Sequence, residues 1–307
     1  MKALLKSVSR SFYLTLRFLP QPLRDPISLA YLLARATDTV ADTAETPAAL
    51  RLTMLEQLVG GIAGEAKLEE LNEPLSQFAA QQSDPAERLL IENLPDLLAQ
   101  LEATAPADRE DIRTVLATIV RGQLLDLQRF GDPTNLAFLQ SAAELDEYTY
   151  LVAGCVGEFW TKLGFRHLQP FATRAPEEMT KRGIDYGKGL QLINVLRDRG
   201  ADERAGRNYL PPGESFSDWL DVAEKKIGAG IDYAAALTSW RMRFATALPA
   251  FIGARTLALL RKSADPSATK VKVSRREVRR ILVASLVATT SPLTLPALFH
   301  RLKDPSR

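Results

Sequence analysis

The stretch Y-L-L-A-R-A-T-D-T-V-A-D, residues 31–42, places a stripe of polar residues along an otherwise apolar helix. Tyr31, Arg35, Asp38 and Asp42 are spaced by four, three and four residues, so at about 100° per residue they share one narrow face. Leucine, alanine and valine occupy much of the remaining surface of the helix predicted over 27–42. A helix that is apolar on most of its circumference is buried, so its polar stripe faces a partner or a cavity.

A second helix, predicted over residues 190–202, repeats this pattern with Gln191, Asn194, Asp198 and Asp202. Each stripe ends in Asp-x-x-x-Asp, which places two carboxylates one turn apart, at about 6 Å. Like charges at this spacing destabilise an isolated helix by roughly 0.2–0.5 kcal/mol per pair, and by more where water is excluded. A cation relieves that repulsion, and hard oxygen ligands suit Mg²⁺ shared with substrate phosphates. One such pair is typical of a solvated helix face, whereas two on apolar helices indicate a functional site.

Composition narrows the class of protein. The chain has 307 residues, of which 46% are hydrophobic and 25% charged, so it can bury a sizeable core. Its 39 basic and 37 acidic residues give a formal net charge of +2, which argues against a dedicated nucleic-acid binder. Cys155 is the only cysteine in the sequence, so no intrachain disulfide can form. The first twenty residues interleave basic and apolar side chains without a signal-peptide core, so we expect a cytoplasmic protein.

Helix start signals recur along the chain, whereas the β-branched alternation typical of strands is nearly absent. The start signals are Asp25-Pro26, Thr46-Pro47, Asp84-Pro85 and Asp132-Pro133. We therefore expect an all-α protein with ten to twelve helices, no strands and a single domain over residues 1–307. The expected loops lie near residues 20–25, 43–47, 61–84, 105–108, 130–134, 166–176, 203–217 and 263–274.

Five blocks of sequence together resemble the squalene and phytoene synthases. They are S-R-S-F at 9–12, the stretch 31–42, D-E-Y-T-Y-L-V-A-G-C-V-G at 146–157, N-V-L-R-D-R-G-A-D at 194–202 and G-R-N-Y-L-P at 206–211. Each block alone would be a weak signal, but their order and span make the set specific. The resemblance implies an isoprenoid synthase fold, a single helical bundle around a central cavity, with the two aspartate motifs facing each other.

The resemblance also implies roles for individual residues. Asp38, Asp42, Asp198 and Asp202, with Asn194, would bind two or three Mg²⁺ ions that hold the diphosphates of prenyl substrates. Tyr148 would lie near the reacting carbons and complete the catalytic set with the four aspartates. The substrate-binding residues implied in this way are Ser9, Arg10, Ser11, Tyr31, Arg35, Val152, Ala153, Gly157, Gln191, Asn194, Arg197, Arg207 and Tyr209. Within this set the small Val152, Ala153 and Gly157 would line the prenyl channel.

Squalene is the expected product, formed from two farnesyl diphosphates with NADPH as hydride donor. The motif R-A-T-D-T-V-A-D is more similar to the squalene type than to the D-D-x-x-D common in phytoene synthases. Lys270, Lys272, Arg275 and Arg276 resemble a basic segment of squalene synthases and would bind the phosphates of NADPH. A solvated basic loop explains this run equally well. Phytoene, dehydrosqualene, presqualene diphosphate and hydroxysqualene remain alternative products, and a non-catalytic binding protein is an alternative of another class.

The segment 281–299 is apolar, but serines, threonines and prolines interrupt it, so we do not expect a membrane span. A buried terminal helix is the favoured interpretation. The preceding Arg275, Arg276, Arg279 and Arg280 leave peripheral contact with a membrane open. The sequence leaves the oligomeric state and the substrate chain length undecided.

Overall fold

The structure, a computed structural model, describes residues 2–9, 12–43, 46–66, 68–130, 137–263 and 271–304, without the side chains of residues 2, 12 and 68–70. Three expected site residues, Arg10, Ser11 and Lys270, and the start signal Asp132-Pro133 lie outside the described residues. The chain divides into two compact units, Met1–Arg17 with Gln21–Gly131 and Phe18–Pro20 with Asp132–Arg307. The single-domain assignment stays a prediction.

The first unit is built from helices α1 to α8. They are α1 (Lys2–Val8), α2 (Phe12–Phe18, whose last residue belongs to the second unit), α3 (Gln21–Asp42), α4 (Ala48–Ala63), α5 (Leu68–Ala80), α6 (Pro85–Glu92), α7 (Leu94–Ala103) and α8 (Pro106–Phe130). The start signal before α6 is confirmed, because the Asp84 side chain accepts a hydrogen bond from the Ala86 backbone N–H. Helix α3 is apolar along most of its length and has twelve buried residues, as its sequence predicted.

Two expected loops in this unit are wrong, and a third, 105–108, is shorter than expected because α8 begins at Pro106. Helix α3 begins at Gln21 and continues through Pro26, although the Pro26 nitrogen cannot donate a backbone hydrogen bond. Helix α5 occupies most of the expected loop 61–84. Its polar composition conceals a helical period in the buried residues Leu71, Leu75 and Phe78.

The described part of the second unit contains seven α-helices and two very short strands. They are α9 (Ala142–Thr149), α10 (Cys155–His167), α11 (Pro176–Arg204), α12 (Phe216–Ala236), α13 (Trp240–Lys262), α14 (Arg275–Ala288), α15 (Leu295–Lys303), β1 (Ala137–Phe138) and β2 (Arg207–Asn208). A π-helical turn, Tyr150–Gly154, joins α9 to α10, and a 3₁₀ turn, Pro292–Thr294, precedes α15.

The all-α class is confirmed, and the described residues contain fifteen α-helices rather than ten to twelve. Short helices account for the difference, since α6 and α7 are separated by Asn93 alone. The expectation of no strands was wrong only for the parallel pair β1 and β2, which aligns Ala137 with Arg207.

Helices α10 and α11 meet backbone to backbone at glycines. A Cβ atom on Gly157 would lie 1.9 Å from the Gly183 carbonyl oxygen, and one on Gly187 would lie 2.2 Å from the Ala153 carbonyl oxygen. Both distances are far below any real carbon–oxygen contact, so these positions require glycine. We call this contact the glycine seam.

Within the described residues, α13 is the one helix that is long and apolar enough to cross a membrane by length and composition. In this structure 72% of its most apolar window is buried, as in the core helix of a folded domain.

Candidate active site

The first carboxylate pair lies at the carboxyl end of α3. Asp38 is half-buried and Asp42, one turn later, is exposed. Burial, reinforced by the charge of Asp42, raises the pKa of Asp38 to about 6, although Arg35 and a hydrogen bond from Gln123 act in the opposite direction. The like-charge repulsion expected from the sequence therefore acts on this pair, and a bound cation would relieve it.

Gln123, on α8, supports this pair and was not identified from the sequence. Its side chain is 7% exposed, and its Nε2 donates to Asp38 Oδ1 at 2.6 Å and to Thr37 Oγ1 at 3.2 Å. Its Oε1 is buried and has no hydrogen-bond partner among the described residues. The available signal was positional, because Gln123 continues the buried row of Leu116 and Ile119 along α8.

The other polar residues of the α3 stripe lie beside Asp38. Arg35 pairs with Glu87 on α6, with 2.5 Å between Nη2 and Oε1. Burial raises the pKa of the Tyr31 phenol, Arg35 lowers it and Asp38 raises it further. These interactions join Tyr31, Arg35, Asp38 and Asp42 into one electrostatic group, as their spacing predicted.

The second carboxylate pair lies near the end of α11, and each aspartate contacts an arginine. Arg197 donates through two nitrogens to the carboxylate of Asp198, with 3.1 Å from Nε to Oδ1. Arg207 donates to Asp202 Oδ1 at 3.0 Å. A carboxylate that keeps an arginine beside it can hold a cation while the arginine contacts the anion bound to that cation.

The same stripe continues toward the start of α11. Asn194 is exposed and its Nδ2 donates to Gln191 Oε1 at 3.2 Å, so both amides lie on the face predicted for them. This face carries amide, carboxylate and guanidinium groups over roughly three helical turns. Such a surface can bind a metal ion together with phosphate oxygens.

An aromatic pair brings two sequence blocks together in the second unit. The rings of Tyr148 on α9 and Tyr209, just after β2, stack with centroids 4.9 Å apart and an interplanar angle of 23°. The β1–β2 pairing fixes the start of this segment, since Leu139 N–H donates to the Asn208 carbonyl at 3.1 Å. Arg207 and Tyr209 are thereby held beside residues distant in sequence.

The remaining residues expected to bind substrate lie away from the two carboxylate pairs in sequence, and their local contacts differ. The Ser9 hydroxyl is buried just after α1 and donates to the Leu5 carbonyl of that helix, and its role in phosphate binding stays a prediction. Gly157 lies in the glycine seam, which explains the glycine by helix packing. Val152 and Ala153 are partly exposed within the π-helical turn.

Within the described residues, Arg275 and Arg276 of the basic segment lie at the start of α14, and Lys272 precedes the helix. Ser274 and Glu277 form a reciprocal capping box that begins the helix at Arg275. Lys272, Arg275 and Arg276 are exposed, as a solvated basic face or a phosphate site would require.

The donor set fits Mg²⁺ that is shared with a ligand. The described residues contain no cluster of three or more histidine, cysteine, aspartate or glutamate side chains that could hold a metal alone. Each aspartate pair supplies two hard oxygens, and Mg²⁺ usually completes its shell with water and substrate phosphates. Such a site forms fully only when an anionic ligand binds.

The amino-acid sequence is similar to those of known squalene and phytoene synthases. The family model described as squalene/phytoene synthase matches residues 5–214. A 15-cis-phytoene synthase of Synechocystis sp. is 32% identical over 212 residues, covering 66% of this chain and 52% of that protein. The squalene synthase of Homo sapiens is 27% identical over 227 residues, covering 73% and 48%. The chain thus spans about half the length of these curated relatives.

A solved structure is also similar. The complex of TcSQS with a ligand has a TM-score of 0.77 at 20% sequence identity, covering 98% of this chain and 88% of that chain. At this identity the likeness establishes the fold.

Proposed function

Since this chain belongs to the squalene/phytoene synthase family, we propose that it condenses two farnesyl diphosphates head to head, through presqualene diphosphate, to squalene. Members of the family are head-to-head prenyltransferases that use Mg²⁺ with diphosphate substrates. The choice of squalene among the family's products is the specific part of the proposal.

The observation that carries the metal-dependent part of the proposal is the position of Asp38, half-buried, one turn from Asp42 and hydrogen-bonded by Gln123. A half-buried carboxylate whose pKa is raised to about 6 by burial and by Asp42 stores unfavourable charge interaction when no cation is present. The hydrogen bond from Gln123 orients that carboxylate all the same. A carboxylate oriented in this way is suited to binding a metal ion.

The remaining residues have roles that follow from their chemistry. Bound Mg²⁺ would neutralise the charge that develops on a diphosphate leaving group. Arg35, Arg197 and Arg207 would bind the diphosphate oxygens and orient the carbon–oxygen bond that breaks. The Tyr148 ring, held in its stack with Tyr209, would stabilise positive charge on the allylic carbons through its π face.

The proposal of squalene includes NADPH as the hydride donor. Its support is the sequence R-A-T-D-T-V-A-D and the exposed cations Lys272, Arg275 and Arg276, which suit phosphate groups. Phytoene or dehydrosqualene would instead be formed by proton loss without a reductant.

The test is incubation of the purified protein with farnesyl diphosphate and Mg²⁺, with and without NADPH, and identification of the extracted products by mass spectrometry. Squalene formed only with NADPH would support both the reaction and the reductant. Dehydrosqualene, presqualene diphosphate or hydroxysqualene formed regardless of NADPH would refute the product assignment. Absence of product, also with geranylgeranyl diphosphate, would favour a non-catalytic binding protein.

Two variants test the metal assignment. Asp38→Ala and Asp198→Ala should abolish turnover while the helical circular dichroism stays unchanged. Asp96→Ala, at an exposed carboxylate on α7, is the matched control and should keep full turnover. Near-normal rates in either site variant would exclude that aspartate as a metal ligand.

A further inference from the structure

Helix α14 exposes a stripe that is cationic at its start and apolar at its end. Arg276, Arg280, Val283 and Val287 are spaced by four, three and four residues, so they share one face of the helix. All four are exposed, with Val283 at 61% and Val287 at 68%. We call these four residues the α14 stripe.

The apolar exposure is concentrated at this place. Leu293, in the 3₁₀ turn after α14, is 86% exposed, whereas the other exposed large hydrophobic residues of the described chain range from 36% to 45%. The three most exposed large apolar side chains therefore follow one another at the end of the same segment. Scattered exposed apolar residues are normal in soluble proteins, but a concentrated set marks an interaction site.

The opposite face of α14 fixes the helix in the second unit. Ile281, Ser285 and Ala288 are buried, and Arg255 on α13 forms an ion pair with Glu277 at 2.7 Å. This pair also offsets the single acidic residue of the helix. The exposed face therefore keeps the full charge of Arg275, Arg276, Arg279 and Arg280 on a rigid support.

We propose that the α14 stripe, with Leu293, docks on the surface of an anionic lipid bilayer. Arg279 and Arg280 would contact headgroup phosphates, and Val283, Val287 and Leu293 would enter the boundary with the acyl chains. Arg275 and Arg276, at the start of the helix, would remain available to the phosphates of the proposed NADPH. Charge complementarity selects this occupant, because a second copy would bring four further arginines against the first four. The surface suits the proposed function, on which it partly rests, since long prenyl chains and a hydrocarbon product partition into lipid.

The test is sedimentation of the full-length protein with vesicles of phosphatidylcholine, with and without phosphatidylglycerol, in the absence of substrate. The protein should sediment with the anionic vesicles only. Arg279→Gln with Arg280→Gln should weaken binding by about 25-fold, since one basic residue near a bilayer contributes roughly a factor of five. Val283→Ser with Val287→Ser should weaken it by at least about tenfold, from the apolar surface no longer buried.

Matched double variants separate this surface from general charge and hydrophobicity. Lys181→Gln with Lys225→Gln removes two exposed cations from α11 and α12, and Leu50→Ser with Leu89→Ser removes two exposed apolar groups from the first unit. Both should bind vesicles like the unmodified protein.

Three results would overturn the proposal. The first is failure of the unmodified protein to bind anionic vesicles, and the second is an equal loss of vesicle binding in the α14 variants and in the control variants. The third is that Val283→Ser with Val287→Ser leaves vesicle binding unchanged but turns a dimeric protein into a monomer. Vesicle binding without product formation would refute only the proposed function. Product formation without vesicle binding would refute only the docking surface.

Discussion

The hydrogen bond from Gln123 to Asp38 makes a prediction that is specific to this site. In Gln123→Met the side chain keeps about the same length and loses the amide that donates to Asp38 at 2.6 Å. Hydrogen bonds to charged groups contribute about 1.5–3 kcal/mol, which corresponds to a factor of roughly 10 to 150. Loss of a residue that orients a metal ligand typically weakens metal binding by about 10- to 100-fold. We therefore expect the Mg²⁺ concentration for half-maximal turnover to rise by at least about tenfold.

The assay is turnover of farnesyl diphosphate at increasing Mg²⁺ concentration, with kcat compared at saturation. Since Gln123 does not contact the reacting carbons in our proposal, kcat at saturating Mg²⁺ should change little. Gln82→Met is the matched control, because Gln82 is equally buried in the first unit but bonds to Thr43 and to the Phe78 carbonyl. An unchanged Mg²⁺ dependence in Gln123→Met, or an equal change in Gln82→Met, would refute the positioning role.

Three further predictions concern the second unit. Gly157→Ala should lower the free energy of unfolding by at least about 1–3 kcal/mol, measured by urea titration, because its Cβ would overlap a backbone carbonyl. Gly228→Ala is the control and should not lower that free energy, because the space around Gly228 is open. Cys155 is buried, and burial is the main reason that its pKa is raised to about 12. Ellman's reagent should therefore leave it unmodified at pH 8 until the protein unfolds, and rapid labelling of the native protein would contradict this. Burial raises the pKa of Asp146, but the ammonium of Lys188 outweighs it and holds that pKa below its ordinary value. The ion pair of Asp146 with Lys188 stabilises the fold at pH values above the unfolded pKa of Asp146, and this stabilisation is lost as the pH falls through the folded pKa. Asp146→Asn should therefore lower the free energy of unfolding by less than about 1 kcal/mol at pH 7 and leave it unchanged in stronger acid. Urea unfolding at both pH values measures the difference.

The sequence predicted the two helices that carry the carboxylates because their polar residues repeat at helical spacing on an apolar background. The same reasoning missed α5. Only a few of its residues are apolar and pack in the core, and their helical spacing is hard to recognise among the many polar residues around them. This reasoning also placed a helix start at Pro26, whereas α3 begins five residues earlier, at Gln21, and continues through that proline. Local rules of composition identify long periodic helices better than short or polar ones.

Parts of the site depend on tertiary contacts that one sequence does not display. The contact between Gln123 and Asp38 joins residues on α8 and α3, and a lone glutamine on a buried row carries no sequence motif. The hydrogen bond of the Ser9 hydroxyl to the Leu5 carbonyl of the preceding helix is a local contact that the block S-R-S-F did not indicate. The stack of Tyr148 on Tyr209 likewise follows from the pairing of β1 with β2, which the alternation of residues did not indicate.

The glycine seam has a consequence for the spacing of groups in the second unit. Main-chain atoms meet there, so the separation between α10 and α11 is set by hard atomic radii and cannot be adjusted by exchanging side chains. Tyr148 and the π-helical turn precede α10, whereas Asn194 and Asp198 lie further along α11. The distance between these two groups is therefore set by the backbone contact at the glycine seam. Substitutions that reshape the walls of a substrate pocket can then change which chain length fits, while the offset between the aromatic ring and the carboxylate-bearing face of α11 stays constant. Efforts to redirect the product should therefore vary side chains around this seam and leave its glycines untouched.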